Sequence, residues 1–168
     1  MSSVDRCVCI MILTLKLATM VSGSPTVSVL INNNPAVLGT LSASAVSSMV
    51  LSTGTMTIHF DSAFHAYSVI VNGSEVLQGA TGSSFYVDSA GNNGMSVDTV
   101  KVLRLRPDLA EVALLDTIGS PLRHELHYVV RQGVTGFYAY HVLSVAPGAS
   151  PSISEVRFIS RWNRCGFT

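Results

Sequence analysis

The chain has few charged residues, and the two signs balance. Charged residues make up only 12% of its 168 residues, with 10 Lys and Arg against 10 Asp and Glu. A neutral chain without a Lys/Arg cluster offers no electrostatic footprint for nucleic acid or for anionic membranes. Hydrophobic residues reach 48%, which excludes a disordered segment. The length suits one domain, or part of one.

Long hydrophobic runs are also missing. The apolar run Val8–Leu15 is too short for a transmembrane helix. Arg6 precedes it and Val21-Ser-Gly23 follows it, which is the layout of a secretory signal peptide cut near Gly23. We therefore predict a signal peptide over residues 1–23, secretion, and a domain over residues 24–168. The alternative is an ordinary buried strand at the start of the domain.

Cysteine is scarce, with three residues in the whole chain. Cys7 and Cys9 lie in the predicted signal peptide, which leaves Cys165 as the single cysteine of the mature chain. A leftover cysteine in a secreted protein indicates a missing partner or a reactive thiol. The partner would lie beyond Thr168, and the alternative is a buried free thiol.

Helical periodicity is absent, and short strands alternate with turn signals instead. Asn72-Gly73 between two apolar runs predicts a hairpin, because both turn positions need positive φ. Met49–Phe60 alternates as a strand with one buried face would. Turn signals recur at the spacing typical of an antiparallel sandwich or barrel. We predict an all-β antiparallel β-sandwich, and we expect it to be incomplete because its last strand, Ser154–Trp162, ends close to the C-terminus. A turn is predicted at 32–35, and further hairpins are predicted at 106–108 and 132–135.

The usual catalytic and metal-binding motifs are missing, and we predict no cofactor. His124 and His127 are three residues apart, so on a strand they point to opposite faces, which argues against a shared metal. His141 lies on the neighbouring predicted strand and could pair with one of them. Asn72-Gly73-Ser74 is an N-glycosylation triplet at the predicted hairpin tip. Turn geometry alone also explains the Asn-Gly pair.

Two groups of residues are candidates for ligand binding. Tyr138 and Tyr140 share one face of a predicted strand, and aromatic faces bind sugars as well as stabilising sheets. Arg157 and Arg161 project from one face of the last strand, together with Glu155. Guanidinium groups pair bidentately with carboxylates, so these arginines suit an acidic ligand. A cross-strand ion pair with Glu155 or another acid is the structural alternative.

Three sequence blocks stand out, and the third contains a Glu-Val-Arg-Phe segment with Arg157. The blocks are Ser68–Gln78, His127–Gly133 with Phe137–Tyr140, and Ser154–Asn163. In this order they resemble the N-terminal catalytic domain of rhamnogalacturonan lyases, polysaccharide lyase family 4, and the resemblance covers about residues 56–163. The third block is similar to the family's Gly-Glu-Leu-Arg-Phe strand, and Arg157 matches its arginine.

The resemblance implies a galactose-mutarotase-like supersandwich, secretion, and β-elimination on the rhamnogalacturonan I backbone of pectin. It implies that Arg157 lies in the substrate cleft. The family's catalytic lysine and histidine would lie beyond the end of this chain, and Lys101 does not align with that lysine. We therefore expect a truncated lyase that is inactive alone, with acidic plant cell-wall polysaccharide as its partner. The alternatives are a non-catalytic carbohydrate-binding module for acidic polysaccharide and an unrelated adhesion or structural sandwich.

Overall fold

Fourteen antiparallel strands and one short 3-10 turn, Ala43–Ala45, form the secondary structure of the described residues. The computed structural model describes residues 7–13 (backbone), 26–77, 85–89, 95–118, 121–152 and 155–162. The strands are β1 Cys7–Leu13, β2 Ser28–Ile31, β3 Asn34–Pro35, β4 Gly39–Ser42, β5 Met49–Ser52, β6 Met56–Phe60, β7 Ala66–Val71, β8 Ser74–Glu75, β9 Phe85–Ser89, β10 Thr99–Arg106, β11 Leu109–Asp116, β12 Leu122–Arg131, β13 Phe137–Val145 and β14 Val156–Ser160.

The strands form two sheets that pack face to face. Sheet A has the order β1-β13-β12-β11-β10-β4. Sheet B has the order β14-β9-β7-β6-β5-β2-β3, with β8 paired to β7. The last third of the chain is therefore split between the sheets, because β12 and β13 lie in sheet A and β14 pairs with β9 in sheet B. The prediction of an all-β antiparallel sandwich is confirmed.

Aromatic side chains join the two sheets in the core. The Tyr128 ring of sheet A lies 4.9 Å from the Phe60 ring of sheet B, in an edge-to-face arrangement. Phe85 of sheet B makes a similar contact with Phe137 of sheet A, at 5.2 Å between ring centroids. Edge-to-face pairs add to the stabilisation from burial of apolar area. Because side chains alternate between the two faces of a strand, the residues between these core residues point to the outer faces of the sheets.

The predicted hairpins are present, with one correction. Asn72 and Gly73 have φ of 49° and 83° and connect β7 to β8, as the turn chemistry requires. The prediction of a single strand over Met49–Phe60 is wrong. Gly54, with φ of 85°, turns the chain between β5 and β6, and these two strands pair antiparallel. Both have buried residues at alternate positions, Met49 and Leu51 before the turn and Met56, Ile58 and Phe60 after it, so the alternation shifts by one residue across the turn.

The apolar run near the N-terminus forms β1, the edge strand of sheet A among the described residues. Its backbone pairs with β13 from Cys7↔Leu143 to Leu13↔Phe137. A strand at the start of the domain is the alternative to a signal peptide, and the backbone of β1 has that conformation. The signal peptide over residues 1–23 stays a prediction. No helix in the described ranges is long and apolar enough to cross a membrane.

Candidate functional site

Arg157 is held on the outer face of sheet B by the pairing of β14 with β9. In this register Arg157 lies opposite Asp88 and the next residue, Phe158, lies opposite Val87. Phe158 turns into the core, where its ring lies 6.0 Å from the Phe85 ring. Because neighbouring strand residues point to opposite faces, Arg157 and Asp88 both point outward.

Asp88 and Arg157 form a cross-strand ion pair. Nη2 of Arg157 donates a hydrogen bond to Oδ2 of Asp88 and lies 3.4 Å from Oε1 of Glu155. The Asp88 side chain is only 5% exposed, whereas the Arg157 side chain is 51% exposed. The hydrogen bond to Asp88 and the charge of Glu155 raise the pKa of Arg157 above its ordinary value. The guanidinium is therefore anchored on one side and open to solvent on another.

Arg161 projects from the same face, as the sequence predicts. Nη2 of Arg161 donates to the hydroxyl of Tyr86 at 3.3 Å, and its Cζ lies 5.5 Å from the centre of the Tyr86 ring. Tyr86 lies two residues from Asp88 on β9, so one strand contacts both arginines. The Tyr86 ring also lies 5.2 Å from the His65 ring, measured between centroids. The result is a pair of cations on one face of sheet B.

Tyr138 and Tyr140 lie on the outer face of sheet A. Tyr138 is 36% exposed. The Tyr140 ring stacks on the His127 ring, with 4.2 Å between centroids and 14° between planes. Its hydroxyl donates to Oε1 of Glu111 at 2.6 Å. Burial, followed by this hydrogen bond, raises the pKa of Tyr140 above its ordinary value.

Glu111 is the centre of a polar network that sequence reasoning missed. Besides Tyr140, its carboxylate contacts Nδ1 of His127 at 3.0 Å and Nε of Arg104 at 3.3 Å. Oε2 of Glu125 lies 3.6 Å from the other nitrogen of His127. Glu111 is buried despite its charge, and a buried carboxylate needs such partners. Glu111 is an acid inside the apolar strand β11, away from the strand ends, and that is the signal that could have found it.

The structure does not bring the two groups of predicted ligand-binding residues together. Arg157 and Arg161 lie on the outer face of sheet B, and Tyr138 and Tyr140 lie on the outer face of sheet A. The core of the sandwich separates them, since Phe158 and Phe137 point inward between them. The four residues therefore belong to two surfaces, and a single ligand-binding cleft does not include all of them.

The histidines have different surroundings, as their spacing predicts. His124 points into the sandwich, where it meets His141, and His127 points to the outer face. In the part of the chain that the structure describes, no group of three or more His, Cys, Asp or Glu side chains is arranged to hold a metal ion. Asn72 is exposed at its hairpin tip, and its glycosylation stays a prediction. Cys165 lies outside the described residues.

Comparison with known proteins finds a distant relative. A rhamnogalacturonate lyase of Dickeya dadantii (strain 3937) is 27% identical over 123 residues. The match covers 67% of this chain and 21% of the relative, so the chain spans about a fifth of that protein's length. No protein-family model matches the chain, and no solved structure does. The chain is distantly similar to a rhamnogalacturonate lyase, which agrees with the sequence resemblance at this coarser level.

Proposed function

We propose that this chain is the substrate-contacting part of a secreted polysaccharide lyase that cleaves the rhamnogalacturonan I backbone of pectin by β-elimination. The observation that carries the proposal is the similarity to a rhamnogalacturonate lyase over 67% of the chain. The half-exposed, anchored guanidinium of Arg157 supports it from the structure. Arg161, on the same face, is the second contact that we assign to the acidic polymer.

The chemistry of such a lyase explains why a fixed arginine is needed. The reaction removes the proton next to a galacturonate carboxylate and expels the oxygen on the neighbouring carbon. Negative charge builds up on the carboxylate as the proton leaves. A guanidinium held in place stabilises that charge without having to reorganise, whereas a base of suitable pKa takes the proton. We assign Arg157 to the carboxylate, and we assign neither the base nor the acid to a residue of this chain.

Binding to rhamnogalacturonan I oligosaccharides tests the role of Arg157. We expect Arg157→Ala to weaken binding roughly tenfold, because a charge-assisted bidentate contact is lost. Methyl esterification of the galacturonates in the oligosaccharide should weaken its binding to the protein without substitutions by a similar factor. Arg106→Ala is the matched control, since Arg106 is an exposed arginine that also pairs with an aspartate, Asp108. If Arg157→Ala and Arg106→Ala bind equally well, Arg157 is not the carboxylate contact.

An activity assay tests whether the chain needs further residues for catalysis. Elimination produces an unsaturated uronate, which absorbs in the ultraviolet. We expect the 168-residue chain to bind the oligosaccharide without producing this absorbance. Appearance of the unsaturated product would show that the chain contains its own base, and the assignment of catalysis to residues elsewhere would be wrong.

A second candidate is a non-catalytic module that binds acidic polysaccharide. The exposed ring of Tyr138, beside the fixed ring of Tyr140, favours it, because aromatic faces stack on sugar rings. In that case Tyr138→Ala should reduce retention on the polysaccharide while Arg157→Ala leaves most of it. The two candidates therefore differ in which outer face of the sandwich the ligand contacts.

A further inference from the structure

We propose that Asp88 is a positioning residue that holds the guanidinium of Arg157 in place for a ligand carboxylate. The inference rests on the proposed function, in which Arg157 contacts an acidic sugar. It adds a residue that no sequence pattern indicates, since Asp88 lies within β9, a strand with no candidate residue of its own. Asp88 acts through Arg157 and does not itself contact the ligand.

The burial of the pair is the first argument. The Asp88 side chain is 5% exposed and the Arg157 side chain is 51% exposed, so Asp88 is covered and Arg157 is open to solvent. An ordinary surface ion pair has both partners in water and contributes little. Here the carboxylate is almost fully buried on β9, and Oδ2 accepts a hydrogen bond from Arg157 of the neighbouring strand. The guanidinium reaches from this fixed point into solvent.

The hydrogen bonds of Arg157 are the second argument. A guanidinium has five N–H donors in one plane. Among the described residues, Arg157 contacts Asp88 and Glu155, and both contacts involve Nη2. Asp88 therefore fixes one nitrogen and leaves other donors of the fork for a carboxylate from solution. Binding to an arginine that is already immobilised loses less side-chain entropy than binding to a free one.

The charge of Asp88 has the opposite effect on the same ligand. Its negative charge repels a second carboxylate and partly neutralises Arg157. Oδ1 of Asp88 is buried and has no hydrogen-bond partner in the described part of the chain. Few hydrogen-bond donors therefore offset the negative charge of the Asp88 carboxylate. Asp88 thus improves the geometry of the site and weakens its electrostatic attraction for a ligand carboxylate. Substitutions can separate these two effects, because they change affinity in opposite directions.

Two substitutions at Asp88 make the test. Asp88→Asn keeps a hydrogen-bond acceptor and removes the charge, so rhamnogalacturonan I oligosaccharides should bind at least as tightly as they bind the unsubstituted chain. Asp88→Ala removes charge and acceptor together, and we expect binding roughly threefold to tenfold weaker because Arg157 is released. Glu155→Gln is the control, since it removes a nearby half-exposed charge without removing the anchor. Equal or tighter binding by Asp88→Ala would overturn the proposal.

A measurement without ligand separates this inference from the proposed function. The Nε–H signal of Arg157 in a nitrogen-15 NMR spectrum should show a restricted side chain in the unsubstituted chain and in Asp88→Asn, and a mobile one in Asp88→Ala. An unchanged signal in Asp88→Ala overturns the positioning role, whatever the ligand does. If no variant binds the oligosaccharide but the signal changes, the proposed function fails and the anchor stands. Asp88→Ser, too short to reach the guanidinium, replaces Asp88→Ala if that variant does not fold.

Discussion

Nδ1 of His124 lies 3.1 Å from Nε2 of His141 in the interior of the sandwich. The rings stack with 5.1 Å between centroids, and His141 has no exposed surface. Burial lowers the pKa of His124, and it lowers the pKa of His141 to about 4, with the charge of His124 adding to the effect. Two stacked imidazoles can share one hydrogen bond only while at least one of them is neutral.

This pair should make the fold sensitive to acid. An unfolded histidine takes up a proton near pH 6.5, whereas folded His141 resists protonation until about pH 4. The stabilisation is therefore complete above about pH 6.5 and is lost as the pH falls toward 4. We expect the free energy of unfolding to fall by roughly 2–3 kcal/mol over this range because of His141. Urea unfolding at a series of pH values measures it.

His141→Leu should remove most of that dependence, since no proton can then bind at this position. His59→Leu is the control, because His59 is partly exposed and lies on the other sheet. If the free energy of unfolding changes equally with pH in both variants and in the unsubstituted chain, the histidine pair is not the source of the acid sensitivity.

The hydroxyl of Tyr128 is a weak point of the core. Tyr128 is fully buried, and its hydroxyl has no hydrogen-bond partner among the described residues. Tyr128→Phe keeps the ring contacts with Phe60 and Phe85, so the stability should stay the same or rise by up to about 1 kcal/mol. Tyr128→Ala removes those contacts and should cost about 3–5 kcal/mol. Urea unfolding of both variants checks this, and a large loss in Tyr128→Phe would contradict it.

Thr53 ties the two sheets together at one end of the sandwich. Its hydroxyl donates to the carbonyl of Val134 at 2.8 Å and accepts the backbone N–H of Met56 at 3.0 Å. Thr53→Val preserves the shape and removes both bonds, which should cost about 1–3 kcal/mol because buried groups lose their partners. Thr57→Val, on the outer face of sheet B, should change stability by less than about 0.5 kcal/mol. Equal effects in thermal unfolding would show that the Thr53 bonds contribute nothing.

Removal of residues 1–23 tests the N-terminal strand. In the shortened chain, β13 would lose the partner that pairs with it from Phe137 to Leu143, and an unpaired edge promotes association. We expect concentration-dependent self-association in sedimentation velocity, and a monomer for the longer chain. Val142→Lys in the shortened chain should restore the monomer, since a charge on an edge strand opposes pairing. A monomeric shortened chain without that substitution would contradict the prediction.

Much of the fold could be predicted because turns and strands depend on neighbouring residues. Asn72 and Gly73 adopt positive φ for local steric reasons, and the hairpin follows from them. The same local rule explains the one error. Alternation holds within each strand, but it shifts by one residue at Gly54, where the chain reverses, and a single strand over Met49–Phe60 ignores that shift.

The amino-acid sequence alone determines the strand class, the hairpins and which residues share a face of one strand, such as Tyr138 with Tyr140, because alternation along a strand is a local property. Only the tertiary structure decides which residues meet across strands and sheets. The anchoring of Arg157 by Asp88, the burial of Glu111 and the assignment of the arginines and tyrosines to opposite faces all depend on contacts between residues far apart in the chain. Such contacts arise from the burial of one shared core, to which the whole chain contributes.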